Sequence, residues 1–174
     1  AVSHGVNDYG DTYVEINLTA QHIYFYKDGK LLVESDFVSG NEARGWATPG
    51  GAYPLTYKQR NAGLRGVGYA TPVSYWMPFN GGIGLHDASW RGSFGGSIYK
   101  TNGSHGCINL PPKTAKTIFE NIKAGDPVLC YHLSGTESKK SSQAESTKQE
   151  PTTAAPETTA PETTAPAETP QTTA

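Results

Sequence analysis

Ser104-His105-Gly106-Cys107-Ile108-Asn109 sets a thiol beside an imidazole, and Ile83-Gly84-Leu85-His86 brings a second imidazole from upstream. The thiolate is the reactive form of cysteine, and a free thiol at neutral pH is mostly protonated. A neighbouring histidine can take that proton or, as imidazolium, hold the thiolate. Gly106 lets the backbone turn sharply at the nucleophile, and such a turn can aim consecutive N–H groups at a developing oxyanion. The chemistry these residues suit is covalent acyl transfer, with Cys107 as nucleophile and His86 as base. His105 has three readings: it orients the loop, assists the oxyanion, or simply packs. Zinc would also accept His86, His105 and Cys107 as three ligands, but a Gly-Cys turn beside a second His fits acyl transfer better. No metal or cofactor is expected.

Other side chains near this pair have less specific readings. Trp90 and Arg91 follow His86 closely. Arg91 can fork onto a substrate carboxylate or stack on Trp90. Tyr75 and Trp76 can wall a pocket or belong to the core. Ser104 and Asn109, grouped with the substrate-side residues, would support the loop through side-chain-to-backbone hydrogen bonds.

The elements that must position these groups are mostly strands. Val14, Ile16 and Leu18 alternate with polar residues, which predicts a half-buried strand over 13–18. Ile23 and Phe25 continue the pattern over 21–26, Asp28-Gly29 marks a hairpin turn, and 31–38 returns. Residues 40–51 read as a loop, 53–57 as a short strand, and 59–71 as a Gly-rich surface excursion. Residues 72–79 are too apolar for open solvent. Residues 81–86 form a strand with interior glycines, a sign of close backbone approach suited to a substrate over the sheet. Pro111-Pro112 opens a helix, whose stripe is Ala115, Ile118, Phe119 and Ile122. Lys123 falls in its last turn and Gly125 stops it. A last strand spans 126–132. Six to eight strands at short spacing with Gly/Pro turns predict a mainly β fold, a sandwich or barrel, with one clear helix after the Cys loop.

Composition divides the chain of 174 residues. Every Trp, Tyr and Phe and both cysteines precede Ser134. Residues 12–133 are thus expected to form one domain with its own core, and 1–11 a leader or linker remnant. Residues 134–174 are rich in Thr, Pro, Ala and Glu, repeat Pro-Glu-Thr-Thr-Ala, and are expected to be a disordered tail. A net charge of −2 gives no basic surface for nucleic acid, and no apolar run approaches a membrane span of about 20 residues. The chain opens Ala1-Val2-Ser3 without Met, which suggests a processed chain or a piece of a longer protein.

The motif resembles the L,D-transpeptidase (YkuD-type) catalytic domain of bacterial cell-wall enzymes: a His, a loop, then Ser/Thr-His-Gly-Cys-apolar-Asn/Arg. Thr48-Pro49-Gly50-Gly51-Ala52-Tyr53 is similar to the family's Thr-Pro-x-Gly-x-aromatic segment, and Trp90 falls where many members carry a Trp. Asp87 departs from the small residue more usual there. The resemblance implies a β-sandwich, a Cys107 thioester formed on a peptidoglycan tetrapeptide stem with release of D-Ala, and a cross-link joining third residues of two stems. It implies that His86 is oriented by the Asp87 backbone carbonyl. Amides near His105, Gly106 and Cys107 would hold the oxyanion. It implies no cofactor, peptidoglycan donor and acceptor stems as partners, an N-terminal domain beyond this sequence, and an extracellular place at the wall. Water in place of the acceptor would give an L,D-carboxypeptidase. A sortase would need an Arg after the Cys, papain-like peptidases place Cys before His, and a non-catalytic wall-binding module leaves the His/Cys set unexplained.

The cysteines set two readings against each other. A Cys107–Cys130 disulfide would stabilise the domain by about 3 kcal/mol but remove the nucleophile. We therefore expect two free thiols, Cys107 fast with an apparent pKa below the usual ~8.5, and Cys130 a buried small hydrophobe.

Overall fold

The computed structural model describes residues 10–66 and 69–137. Most of the expected leader and most of the expected tail lie outside the described residues.

Nine strands form two sheets. The first has the order β3-β2-β1-β9-β4, from Tyr13–Asn17 (β1), His22–Lys27 (β2), Lys30–Asp36 (β3), Gly51–Pro54 (β4) and Pro127–Tyr131 (β9). The second has the order β5-β6-β7-β8, from Gln59–Gly66 (β5), Tyr69–Asn80 (β6), Ile83–Asp87 (β7) and Ile108–Leu110 (β8). Two α-helices, Ile98–Asn102 (α1) and Pro112–Asn121 (α2), and a single 3-10 turn at Glu42–Arg44 complete the described fold. The mainly β sandwich expected from the sequence is what forms.

Local chemistry explains most of these elements. Asp28 and Gly29 both take positive φ, 51° and 78°, the twist a two-residue hairpin requires. The alternating set Val14, Ile16, Ile23 and Phe25 is fully buried, and joins Met77, Leu85, Ile108 and Ile118 in one core between the sheets. Burying such side chains contributes about 1.5–3 kcal/mol each. The stripe of α2 enters that core through Ala115, Ile118 and Phe119.

Several expectations are corrected. Strand β1 is not half-buried: Glu15 and Asn17 on its other face are also buried. It lies in the middle of its sheet, antiparallel to β2 and parallel to β9. Tyr131 Oη donates to Glu15 at 3.3 Å, and Asn17 Oδ1 accepts the amides of Thr19 and Ala20. Residues 59–66 do lie largely at the surface, but as strand β5, paired with a twelve-residue β6 through Gln59↔Trp76 and Leu64↔Thr71. Glycine content and Pro72 hid this hairpin. The glycine at 84 accommodates protein rather than substrate, because a Cβ there would stand 2.7 Å from Met77 O and Pro78 Cα of β6. Helix α2 ends before Lys123, which instead pairs with Asp126 at 2.7 Å. Short α1 interrupts the loop between the two histidines. Residues 134–137 do not leave the domain at once: Asn17 Nδ2 donates to Thr136 Oγ1 at 3.0 Å.

Candidate active site

Parallel pairing of β7 with β8 brings the distant motifs together. The register sets His86 opposite Asn109, and Cys107 lies one residue before β8. Trp76 of β6 pairs with His86 from the other side. His86, Trp90, Arg91, His105 and Cys107 line one cavity of about 210 Å³, joined by Leu64, Tyr69 and Thr71 of the β5–β6 hairpin.

The turn at the nucleophile is built by short hydrogen bonds. Ser104 Oγ donates to Cys107 O and accepts from Gly106 N at 3.0 Å. Gly106 has φ +130°, a region that side chains rarely adopt, while space for a Cβ is ordinary. Backbone conformation, not crowding, is the reason for glycine here. Thr48 Oγ1 donates to Gly106 O at 2.7 Å and accepts from Gly40 N at 3.0 Å, all buried. The neighbouring segment is stitched on by Val38–Asn109 and Ser39–Ser104 backbone bonds of 2.8–3.0 Å. Thr48 thus acts as a clamp between this segment and the turn. The sequence offered it only as part of a turn signal.

Ser104 both holds the turn and lines the cavity, as does Asn109. The Gly106 amide, one of the expected oxyanion donors, is taken by Ser104 Oγ.

His86 is 4 % exposed. Its Nδ1 donates to Asp87 O at 2.7 Å, which assigns the proton to Nδ1 and leaves Nε2 as acceptor. Burial lowers its pKa below the ordinary 6.5, the Asp87 carbonyl and carboxylate oppose this, and Arg91 adds to the lowering. The Asp87 carboxylate itself accepts the amides of Ser74 at 3.1 Å and Tyr75 at 2.8 Å. Its side chain therefore anchors β6, and the direct hydrogen bond to the imidazole comes from its backbone.

Cys107 is half-buried and free. Its Sγ donates to Gly82 O at 3.5 Å, and it packs against Ala62, Val73 and Trp76. Burial pushes the thiol up, and a hydrogen bond with the Gly84 backbone partly offsets that. The direction is opposite to the expected depression, with desolvation its largest cause. The lowered imidazole and the raised thiol each favour the uncharged form. Cys130 is free and buried, its thiol pushed up to about 12 by burial.

The other expected residues separate. Trp90 is 51 % exposed and stands 5.8 Å from His86, ring to ring, at the cavity mouth. Arg91 lines the cavity, but its Nη1 donates to Asn102 O at 2.9 Å. Its remaining fork faces Asn109. Tyr75 is absent from the cavity wall: its ring packs on Phe119 at 5.2 Å, under Arg60, and its pocket reading is corrected. Trp76 is buried and donates to Tyr57 Oη at 3.2 Å. His105 stacks between Trp46 at 4.3 Å and Tyr69 at 4.4 Å. Of its three readings, packing is the one its ring contacts match. Trp46 and Tyr69 went unnoticed in the sequence because they lie in segments read as loop. Among the described residues no group of three His, Cys, Asp or Glu could hold a metal ion.

Known proteins resemble this chain in sequence and fold. The profile described as L,D-transpeptidase catalytic domain (YkuD) matches residues 11–130. A crystal structure of a Cys→Ser mutant of Enterococcus faecium L,D-transpeptidase is 43 % identical with TM-score 0.67, over 70 % of this chain and 50 % of that one. The catalytic domain of the E. faecium enzyme acylated by ertapenem, solved by NMR, is 43 % identical with TM-score 0.65, over 72 % of this chain and 100 % of that one. L,D-transpeptidase 2 of Mycobacterium tuberculosis is 28 % identical over 102 residues, which are 59 % of this chain and 23 % of that protein. The chain therefore spans about a quarter of that relative's length and half of the first crystal structure's chain. With residues 11–130 matched, and a histidine and a cysteine from adjacent parallel strand ends facing one cavity, the chain belongs to the YkuD L,D-transpeptidase catalytic domain family.

Proposed function

We propose that the chain is a cysteine-dependent L,D-transpeptidase that forms third-to-third cross-links between peptidoglycan stems. The observation that carries this is the pairing of Cys107 with His86 in one cavity, the imidazole proton fixed on Nδ1 by Asp87 O at 2.7 Å. Nε2 is then the unprotonated, basic nitrogen. In the reaction, Nε2 takes the thiol proton as Sγ attacks the carbonyl that joins the third residue of a donor tetrapeptide to D-Ala. The oxyanion forms within reach of the His105 and Cys107 amides. Collapse breaks the C–N bond, the Nε2 proton passes to the departing D-Ala amine, and a thioester remains on Cys107. An acceptor amine on a second stem's third residue attacks it, gives a proton back through Nε2, and returns the thiol. A neutral starting pair suits this route, because the base is unprotonated and the thiol is formed into a nucleophile only as it attacks. The ertapenem-acylated relative supports an acyl-enzyme route. Water as acceptor would make the same site an L,D-carboxypeptidase. The substrate places the activity outside the cell, at the wall.

Incubation with a purified tetrapeptide stem tests this. The expected products are free D-Ala and a dimer joined through third residues. Free D-Ala with tripeptide alone would assign the carboxypeptidase instead. Neither product, from a folded chain, would refute both.

A further inference from the structure

Asn109 is a register partner of His86 and sits between two fixed groups. A guanidinium has only N–H donors, so the amide oxygen of Asn109 must turn to Arg91. In that rotation it accepts from Arg91 Nε at 2.8 Å and Nη2 at 3.2 Å, and the Asn109 amide NH₂ donates to His86 Nε2 at 3.2 Å. Arg91 is itself fixed through Nη1 to Asn102 O at 2.9 Å, beside the C-terminal end of α1. The Asn109 backbone is pinned by Val38, N to O at 2.8 Å and O from N at 3.0 Å. The amide is 2 % exposed as a residue, so solvent does not offer it a second rotation.

We infer that Arg91 is a positioning residue: its fork locks the Asn109 amide so that NH₂ faces Nε2 and holds His86 as the neutral Nδ1–H imidazole. An imidazolium would present an N–H to that NH₂, donor against donor. To accept the proton from Cys107, Nε2 must give up the Asn109 bond, so the lock disfavours a standing thiolate–imidazolium pair and favours protonation only during the reaction. The charged and titratable groups facing His86 are Asp87 on its own strand, Arg91 from the following loop, and Cys107 and His105 from the nucleophile turn. Asp87 raises the imidazole and Arg91 lowers it, as a charge as well as through Asn109. The kinetic consequence rests on the proposed reaction; the proton placement does not.

The test is nuclear magnetic resonance on the ¹⁵N-histidine-labelled chain, read without substrate. The His86 nitrogens should report Nδ1–H, with a titration below pH 6.5. Arg91→Met should raise the His86 pKa, and Arg91→Lys, which keeps the charge and one donor, should recover part of the shift. Asn109→Leu should also raise it. Combining Arg91→Met with Asn109→Leu should add little, because one acts through the other. Additive shifts would mean that Arg91 acts by charge alone and would overturn the lock, as would an Nε2–H tautomer in the unmodified chain. In the acylation pH profile the acid limb should move with the measured pKa. Loss of acylation in the unmodified chain would refute the reaction and leave the proton placement standing.

Discussion

Cys107 and His86 are both desolvated, which favours the uncharged form of each. The imidazole is held low and the thiol high by burial. Two consequences follow at this scale. Acylation should have an acid limb below pH 6.5, the ordinary value that burial of His86 undercuts. Above that limb the rate should stay level, because the base is free and the thiol still protonated, to beyond the ~8.5 of a free cysteine, and a limb centred above pH 7 would contradict a lowered imidazole. His86→Gln should lower acylation by about 10²–10⁴-fold, with the melting temperature nearly kept. A variant that loses its fold but keeps specific activity in the folded fraction would make His86 a core residue only. Most of this was legible in the sequence, since the Ser-His-Gly-Cys turn and the upstream His name the chemistry. The thiol's pKa direction was not legible. It depends on Ala62, Val73 and Trp76 crowding the sulfur, and those residues meet it only after β5 and β6 have paired.

The elements set the site through their ends. Strands β7 and β8 align the base with the nucleophile turn, and the segment from Val38 to Thr48 braces that turn from behind. Thr48 is the pivot, with both its hydrogen-bonding roles filled inside the protein. Thr48→Val keeps the shape and leaves Gly40 N and Gly106 O without their partner. It should cost about 1–3 kcal/mol and slow acylation, measured by denaturant unfolding and by adduct formation. Gly106→Ala should cost about 1–3 kcal/mol from its φ of +130° alone. Unchanged stability in both would mean the turn is not braced as described. At this scale the sequence was legible where the pattern was regular. The turn at Asp28-Gly29 and the α2 stripe came out as expected, whereas β5, with its glycines and Asn61 at φ 52°, has no alternation to read. Its pairing with β6 is a tertiary choice, and it brings in Leu64, Tyr69 and Thr71 as cavity wall.

For the whole molecule, alkali should weaken the fold through the buried Cys130 thiol, with smaller contributions from the partly exposed Tyr13, Tyr24 and Tyr26. The Cys130 thiol is pushed up to about 12, and Tyr13, Tyr24 and Tyr26 are raised too, all by burial first. Each group is protonated in the fold at a pH where the unfolded chain has begun to release its proton. The stability this confers is complete below about pH 8.5, the unfolded thiol value, and fades as pH climbs toward 12. The slope from Cys130 alone approaches about 1.4 kcal/mol per pH unit. Denaturant unfolding across pH 8–11 should show the decline, and Cys130→Val should flatten it; an equal slope in that variant would discard Cys130 as the cause. The sequence placed the end of the domain at Leu133, but Thr136 is bonded to Asn17 and Leu133. A chain ending at Glu137 should melt with the full chain, and one ending at Leu133 about 1 kcal/mol below it. A bond across 119 positions leaves no periodicity in a sequence, which explains why this boundary was not legible.

Acylation of Cys107 with His86 as its base is read most directly by intact mass after incubation with a carbapenem. One adduct per chain is expected, mapped by peptide mass to Cys107, absent in Cys107→Ser and strongly slowed in His86→Gln. An adduct on Cys130, or acylation that survives Cys107→Ser, would contradict that assignment.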